Sequence, residues 1–488
     1  MNLVYILSDQ HNRDALGCYG HPLVQTPNLD RLAESGVRFN NAYTNCPICV
    51  PARASLATGQ FVHQIGYWDN AHPYEGRVPG WGHRLIQAGH RVESIGKLHY
   101  RDDADLDGFS KHIIPLNVVE GIGDVMASVR EHPPVRKGSR DGILNAGPGT
   151  STYLNYDVQI ADRAVEWLKQ HGSAQDGTPP WVLFVSFVCP HPPYVAPPEL
   201  FDLYPLDSIE LPVQSARDEW PDHPALNEFR RVMQWEEPFT EEEIRRVTAA
   251  YYGCCTHLDR QIGRVLDALS ECGLSDNTRI LYTSDHGESM GRRGLFGKFT
   301  MYEESAAVPV ILSGPDISGG GVCEEIVSLV DSYQTILDAT GLPLTEEEQQ
   351  NLPGTSLWPL ARGDEDAPRD RWALSEYHAV ASKSGYFMLR KGRYKYVYYV
   401  DGPAQLFDLE SDPQEKNNLA TSPEHQQTVS EYDQLLREIL DPEAVDAEAK
   451  ASQAELIERH GGLENVLNRG QFTNSPVPGE TPVFHSAE

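Results

Sequence analysis

The chain has 488 residues, 40% of them hydrophobic, with 22 Tyr and 8 Trp and a formal net charge of −31. This composition specifies a folded core and excludes a disordered chain, while the length admits one large α/β core plus a smaller lobe, since single cores rarely exceed about 250–300 residues. The acidic excess disfavours nucleic acid and anionic membranes as partners, and no apolar run approaches the roughly 20 residues that span a bilayer. An anionic substrate would need a pocket that reverses the sign locally, with a metal ion and a few Arg, Lys and His side chains.

The N-terminus passes from Met1 straight into NLVYILSDQ, without a basic region or a cleavage site. A cytoplasmic location is the expectation. Its apolar LVYILS predicts a buried parallel strand, and the polar DQHNRD after it predicts a loop at the strand end where α/β folds place ligands. TPNLDRLAESG predicts a helix with Thr26 as N-cap, Pro27 in the first turn and Gly36 as its stop. HRVESIGK and WVLFVSFVCPHPPY read as strands, the second ending in a Pro-rich turn. Between them DVQIADRAVEWLKQHG is amphipathic, with Ala161, Ala164, Val165 and Leu168 on one stripe. TEEEIRRV opens a long helix through the capping-box pair Thr240 and Glu243, running to about Gly273. TRILYTSDHG and VPVILSG are again strands. This alternation predicts a mostly parallel sheet covered on both faces.

The pattern changes after Gly341. WALSEYH, YFMLRKG, YKYVYYV and QLFDLE are short runs between turns, which predict a small antiparallel sheet. A polar helix near EHQQTVSEYDQLLREIL follows, and TNSPVPGETPVFHSAE reads as an extended tail. The expected division is 1–345, 346–440 and 441–488.

Chemistry concentrates in NCPICVPARASLATG, Asn45 to Gly59. Eight dispersed cysteines do not form a disulfide framework, so the C-x-x-C of Cys46 and Cys49 raises a redox dithiol or half a zinc site. A zinc site needs two more ligands, and the adjacent Cys254 and Cys255 do not supply a second C-x-x-C. Pro51 starts a short helix, which puts Cys49 at an electropositive N-terminus with Arg53 one turn along. Cys49 is therefore a candidate nucleophile on physical grounds alone.

Cys49-Val50-Pro51-Ala52-Arg53, followed by ASLATG, resembles the C-x-P-x-R signature of the type I sulfatases of the alkaline phosphatase superfamily. Other blocks recur in the family's order: SDQ ending the first strand, GKLH at Gly96 to His99, CPHPPY around His191, SDHG at Ser284 to Gly287, and GLFGKFTMYEE around Lys298. PAQLFDLESDPQEKNNLA resembles the family's C-terminal subdomain, so the likeness covers about residues 1–420 and leaves the tail outside. Each side chain alone has a plainer reading: an Asp after a strand is usually a cap, and a lone Lys a solvated loop residue. Their joint occurrence at strand ends along one sheet edge is what a site requires.

The resemblance implies an α/β fold with a large mostly parallel sheet flanked by helices and a smaller C-terminal antiparallel sheet. It also implies that a formylglycine-generating enzyme oxidises Cys49, and that the hydrated aldehyde binds one divalent cation and attacks the sulfur of a sulfate monoester. Asp9, Asp285 and His286 would be metal ligands with residue 49, and Gln10 would add a side-chain oxygen. Gln10 and His286 depart from the commonest pattern, which has Asp and Asn there, but match the choline sulfatase and phosphonate monoester hydrolase branches. Oxygen-rich coordination suits Ca²⁺ first, with Mg²⁺ or Mn²⁺ as alternatives.

Further roles carry over with the resemblance. Arg53 would hold the diol, Lys97 and Lys298 would bind sulfate oxygens, His99 would accept a proton from residue 49, His191 would protonate the leaving alcohol, and Asn70 in YWDNAHP would bind sulfate. The implied partners are a small-molecule or saccharide sulfate ester, the maturation enzyme and a second copy in a homo-oligomer, with no nucleic acid and no membrane. A phosphonate monoester or phosphodiester hydrolase on the same scaffold is the alternative, and the Lys97–His99 pair favours the sulfatase. Cys46 is expected to be a bystander.

Overall fold

All eight residues of NLVYILSD, strand β1 (Asn2–Asp9), are buried. A strand with no solvent face must be covered on both sides, and the computed structural model, which describes residues 1–171 and 179–485, shows how. Leu3, Tyr5 and Leu7 pack on one side with Trp81, Leu85, Ile336 and Trp358. Val4 and Ile6 pack on the other with Ile160, Ala161, Leu258 and Ile262. The two-residue period of the strand separates these cores.

The other strands of this sheet are β2 (Gly36–Tyr43), β3 (Arg91–Lys97), β4 (Lys111–Leu116), β5 (Trp181–Pro190), β6 (Thr278–Ser284), β7 (Val310–Ser313) and β8 (Gly321–Ser328). Their spatial order is β8-β2-β7-β6-β1-β5-β3-β4. Only β7 runs against its neighbours, pairing antiparallel with β2 and β6. The sheet is thus mostly parallel, as its sequence pattern predicts. A separate antiparallel sheet, β9 (Trp372–Tyr377), β10 (Tyr386–Lys391), β11 (Tyr394–Tyr399) and β12 (Gln405–Asp408), follows in simple up-and-down order.

Helix α1 (Pro27–Glu34) is capped differently from its sequence reading. Thr26 makes no cap bond; the buried Asp259 accepts the N–H groups of Asn28 and Leu29 instead. Gly36 opens β2 rather than stopping α1, because a Cβ there would lie 2.2 Å from the Leu312 carbonyl. Helix α2 (Cys49–Thr58) is buried along its whole length and ends at Gly59 in the left-handed conformation. It begins two residues before Pro51.

Helix α3 (Thr152–His171) starts five residues before the amphipathic stretch read from sequence, and Ala161, Ala164 and Leu168 face the core with Val165 at its margin. Helix α4 (Glu241–Glu271) packs beside it, and Thr240 and Glu243 form the expected reciprocal cap. Helix α5 (Asp331–Ala339) covers the opposite face. After the small sheet come α6 (Gln426–Ile439), α7 (Pro442–Arg459) and α8 (Gly462–Arg469). Among the described residues no helix is long and apolar enough to cross a membrane.

Candidate active site

Neighbouring parallel strands end together, so the residues at their C-terminal ends converge. Asp9 closes β1, Asp285 and His286 follow β6, Lys97 closes β3 with His99 two residues on, and His191 follows β5. Gln10 and His99 adopt left-handed backbone, at φ 68° and 56°. Such conformations cost non-glycine residues energy and concentrate at functional sites. Cys49 is the first residue of α2, at the positive end of the helix dipole.

These side chains form one buried cluster. The ligand atoms of Asp9, Cys49, Asp285 and His286 all lie within 4.8 Å of one another. The Cys49 sulfur is 3.2 Å from His286 Nε2, 3.0 Å from Lys298 Nζ and 3.8 Å from Asp9 Oδ1. His286 Nδ1 faces the Gly287 carbonyl at 3.2 Å, which leaves Nε2 as the ligand atom. Two carboxylates and an imidazole around one point, with residue 49 beside them, fit a divalent cation: such charges would repel without a cation between them. The neighbouring cations Arg53, Lys97 and Lys298 already supply part of that compensation.

Arg53 lies beneath residue 49 and is engaged from several sides. Its guanidinium donates to Asp285 Oδ2 at 2.9 Å, the Lys97 carbonyl at 2.8 Å, Ser186 Oγ at 3.0 Å and Asp9 Oδ2 at 3.4 Å. It ties the two carboxylates together from beneath. Lys97 pairs with the same Asp9 oxygen, Oδ2. The Gln10 oxygen accepts from Lys298 at 2.8 Å, and its amide nitrogen donates to Glu288 and, at 3.3 Å, to Tyr194. Asn70 lends Oδ1 to the Val50 N–H at 3.1 Å and so caps α2, whose own N-cap, Ile48, has no side-chain oxygen.

Burial would push Asp9 up, but Lys97, His191, Lys298 and Arg53 hold it well below the usual carboxylate range. Burial and the Asp9 charge raise the Cys49 thiol, against Lys298 and Lys97. Burial lowers His99 well below the ordinary imidazole range, aided by Lys97 and Arg53, and lowers His191 likewise, aided by Lys298. Burial takes His286 down to about 4 despite Asp285. All three imidazoles are therefore neutral near pH 7, as a metal ligand and a proton acceptor require.

The cluster forms the floor of a cavity of about 240 Å³ lined by Gln10, Cys49, Asn70, His99, His191 and Lys298. Its walls are largely apolar and include Ile48, Met233, Trp235, Phe296 and Phe299. Cys46 is buried beside it, held by Thr44, and does not line the cavity. Asp9, Asp285, Arg53 and Lys97 lie beneath, with at most 2% of each side chain exposed.

Sequence reasoning missed Glu288, which accepts from Gln10, from Tyr194 at 2.5 Å and from the Gly297 N–H at 2.6 Å, holding the Lys298 loop against the strand end. It stands two residues after His286, so reading SDHG one residue further would have reached it. It also missed Tyr153 and the tail residues 471–475, which line the cavity without any motif.

A model of the sulfatase family matches residues 1–342, and one of the N-sulphoglucosamine sulphohydrolase C-terminal region matches 291–441. This chain belongs to the sulfatase family. It is an enzyme, a sulfuric ester hydrolase. The choline-sulfatase of Rhizobium meliloti (strain 1021) is 34% identical over 469 residues, 93% of this chain and 89% of that protein. The arylsulfatase K of Canis lupus familiaris is 33% identical over 470 residues, 91% of this chain and 83% of that one. The likeness therefore extends beyond residue 420, into the part expected to fall outside it. The crystal structure of the phosphonate monoester hydrolase of Agrobacterium radiobacter superposes with a TM-score of 0.73 at 25% identity, over 92% of this chain and 96% of that one.

Proposed function

We propose that the enzyme hydrolyses the sulfate monoester of a small organic alcohol or a saccharide hydroxyl, with Cys49 matured to formylglycine by a formylglycine-generating enzyme. Asp9, Asp285 and His286 hold one divalent cation with residue 49, and Gln10 contributes its amide beside them. Ca²⁺ suits the carboxylate-rich set best, with Mg²⁺ and Mn²⁺ next. The observation that carries the reading is the placement of the Cys49 sulfur: at a helix N-terminus, within 3.2 Å of both His286 and Lys298, on the floor of a cavity. When bound, the cation lowers the pKa of the hydroxyl it holds, so that a weak nucleophile works near neutral pH.

The chain's own residues supply the remainder. Lys97 and Lys298 oppose the charge that builds on sulfate oxygens as the S–O bond breaks. Arg53 keeps Asp9 and Asp285 at a fixed separation. Asn70, with its oxygen committed to α2, offers Nδ2 to a sulfate oxygen. His191 Nδ1 is engaged by the Pro192 carbonyl at 2.7 Å, so Nε2 is the atom that gives a proton to the leaving alcohol. His191 must take up a proton at Nε2 before it can give one, and the negative charge of an ester in the cavity acts in that direction by offsetting Lys298. His99 accepts the proton that residue 49 must lose for sulfate to depart.

The test is a sulfate-release screen with matured, metal-supplemented enzyme over alkyl, aryl, choline and sugar sulfates, run beside an aryl phosphonate. Faster turnover of a sulfate supports the reading; dominant phosphonate hydrolysis replaces it with the alternative. Mass spectrometry of the peptide spanning Asn45 to Arg53 reads the maturation, and an unmodified Cys49 in protein from its native host would overturn the formylglycine assignment.

A further inference from the structure

A segment near the C-terminal end of the chain returns to the floor of the cavity. Beyond α8, residues 471–475 line the same cavity as Cys49, His99 and Lys298, although more than 370 positions separate Ser475 from His99. The contacts are specific. Ser475 is 7% exposed, its Oγ lies 3.0 Å from His99 Nε2, and its carbonyl accepts from the Tyr153 hydroxyl at 2.6 Å. The Asn474 amide, turned so that its nitrogen donates, reaches the Pro192 carbonyl next to His191 at 3.0 Å.

The segment is pinned at both ends. Gln471 donates to the Lys137 carbonyl at 2.7 Å and pairs through its backbone with His485, while Phe472 packs edge-on against Phe484. Val477 packs against the core cluster that contains Ile160 and Tyr153.

His99 is where this matters. It is 6% exposed, its backbone is left-handed, and Nδ1 has no partner among the described residues. A neutral imidazole carries one proton, and the partner of one nitrogen decides the state of the other. If Nε2 carries the proton and gives it to the Ser475 oxygen, Nδ1 keeps a lone pair.

We propose that the C-terminal tail completes the active site within its own chain, with Ser475 as a positioning residue that holds His99 in the Nε2–H tautomer and leaves Nδ1 as the proton acceptor. This rests on the reading of His99 as the base above. The carboxylate of a Ser-His-Asp triad plays the same part on its imidazole, and a neutral hydroxyl is a weaker version of it.

The test uses full-length, matured enzyme carrying Ser475→Ala, Ser475→Thr or His99→Gln. Ser475→Ala should lower kcat by about 10–100-fold with little change in KM, and Ser475→Thr, which keeps the hydroxyl, should recover most of the loss. ¹⁵N spectra of histidine-labelled protein give a readout independent of turnover. The His99 signal, identified by its disappearance in His99→Gln, should show protonated Nε2 and bare Nδ1, and Ser475→Ala should mix the tautomers.

A wild-type spectrum with the proton on Nδ1, or Ser475→Ala with unchanged kcat and spectrum, would overturn the proposal. A loss in Ser475→Ala that Thr does not rescue and that comes with raised KM would reduce the tail to a wall. Full turnover by His99→Gln would remove the base assignment itself, and the tautomer spectra would still decide the Ser475 contact.

Discussion

Two buried ionic clusters lie on either side of the loop from Asp285 to Ala307, and they serve opposite ends. On the cavity side Asp9 and Asp285 face three cations, Arg53, Lys97 and Lys298. On the far side the short helix Glu303–Ala306 meets β11, and the charges balance. Lys395 pairs with Glu303 at 3.0 Å and with Glu415, Arg13 reaches Glu303 at 3.3 Å, and Arg293 pairs with Glu304 at 2.5 Å. Glu415 also accepts the Glu303 N–H at 2.7 Å. The second cluster fastens the small sheet to the main domain and offers no cavity. The first, which also takes in Glu288 behind Gln10, brings Lys298 to the floor of one, inside a chain of net charge −31. Buried charges alone do not mark a site. A cation that lines a cavity does, because a ligand of the opposite sign can reach it there.

That contrast can be broken experimentally. Cys49→Ala should lower turnover by about 10⁴-fold or more while leaving the thermal melting transition in place, since only the reacting atom is lost; a collapsed transition would mean that Cys49 is a core residue. His191→Ala should cost about 10²-fold on an alkyl sulfate and less on a nitrophenyl sulfate, whose leaving group needs no proton. Equal losses on both substrates would remove His191 from the acid role.

The far cluster should respond in stability instead. Lys395→Met takes the cation away from buried Glu415, leaves Glu303 with Arg13 alone, and should cost about 3 kcal/mol in urea unfolding, with kcat per folded molecule unchanged. The smallest effect is in pH dependence. Burial next to Glu303 raises Glu415 to about 7 even though Lys395 opposes it. Its folded value lies above the unfolded 4.5, so the folded state binds the extra proton and stability falls as pH rises from about 4.5 to about 7. Glu415→Gln should flatten that limb of the stability curve, and an identical curve would show that the pair titrates otherwise.

The local signals in the sequence were strong where one element carries them. Periodicity located the strands whose ends hold Asp9, Lys97, His191 and Asp285, and the C-x-P-x-R run located Cys49 at a helix start. Arg53 was legible as a site residue but its contacts were not, because its partners Asp9, Lys97 and Ser186 come from three different strands and Asp285 from the loop after a fourth. Thr26 failed as a cap for the same reason: the better acceptor, Asp259, lies on a distant helix. Asn70, expected as a sulfate ligand, caps α2.

The sequence by itself determined the layered α/β fold and pointed to Cys49, Asp9, Asp285 and His286 as the residues to examine at its strand ends, since these depend on short-range pattern and on residue chemistry. Only the tertiary structure decided which buried charges face a cavity, and that the tail beyond α8 closes one side of it. Ser475 in TNSPVPG has the look of an ordinary turn residue, and nothing local distinguishes it. Its contact with His99 exists because the folded chain carries its end back across the sheet edge, a long-range closure that no window of sequence encodes.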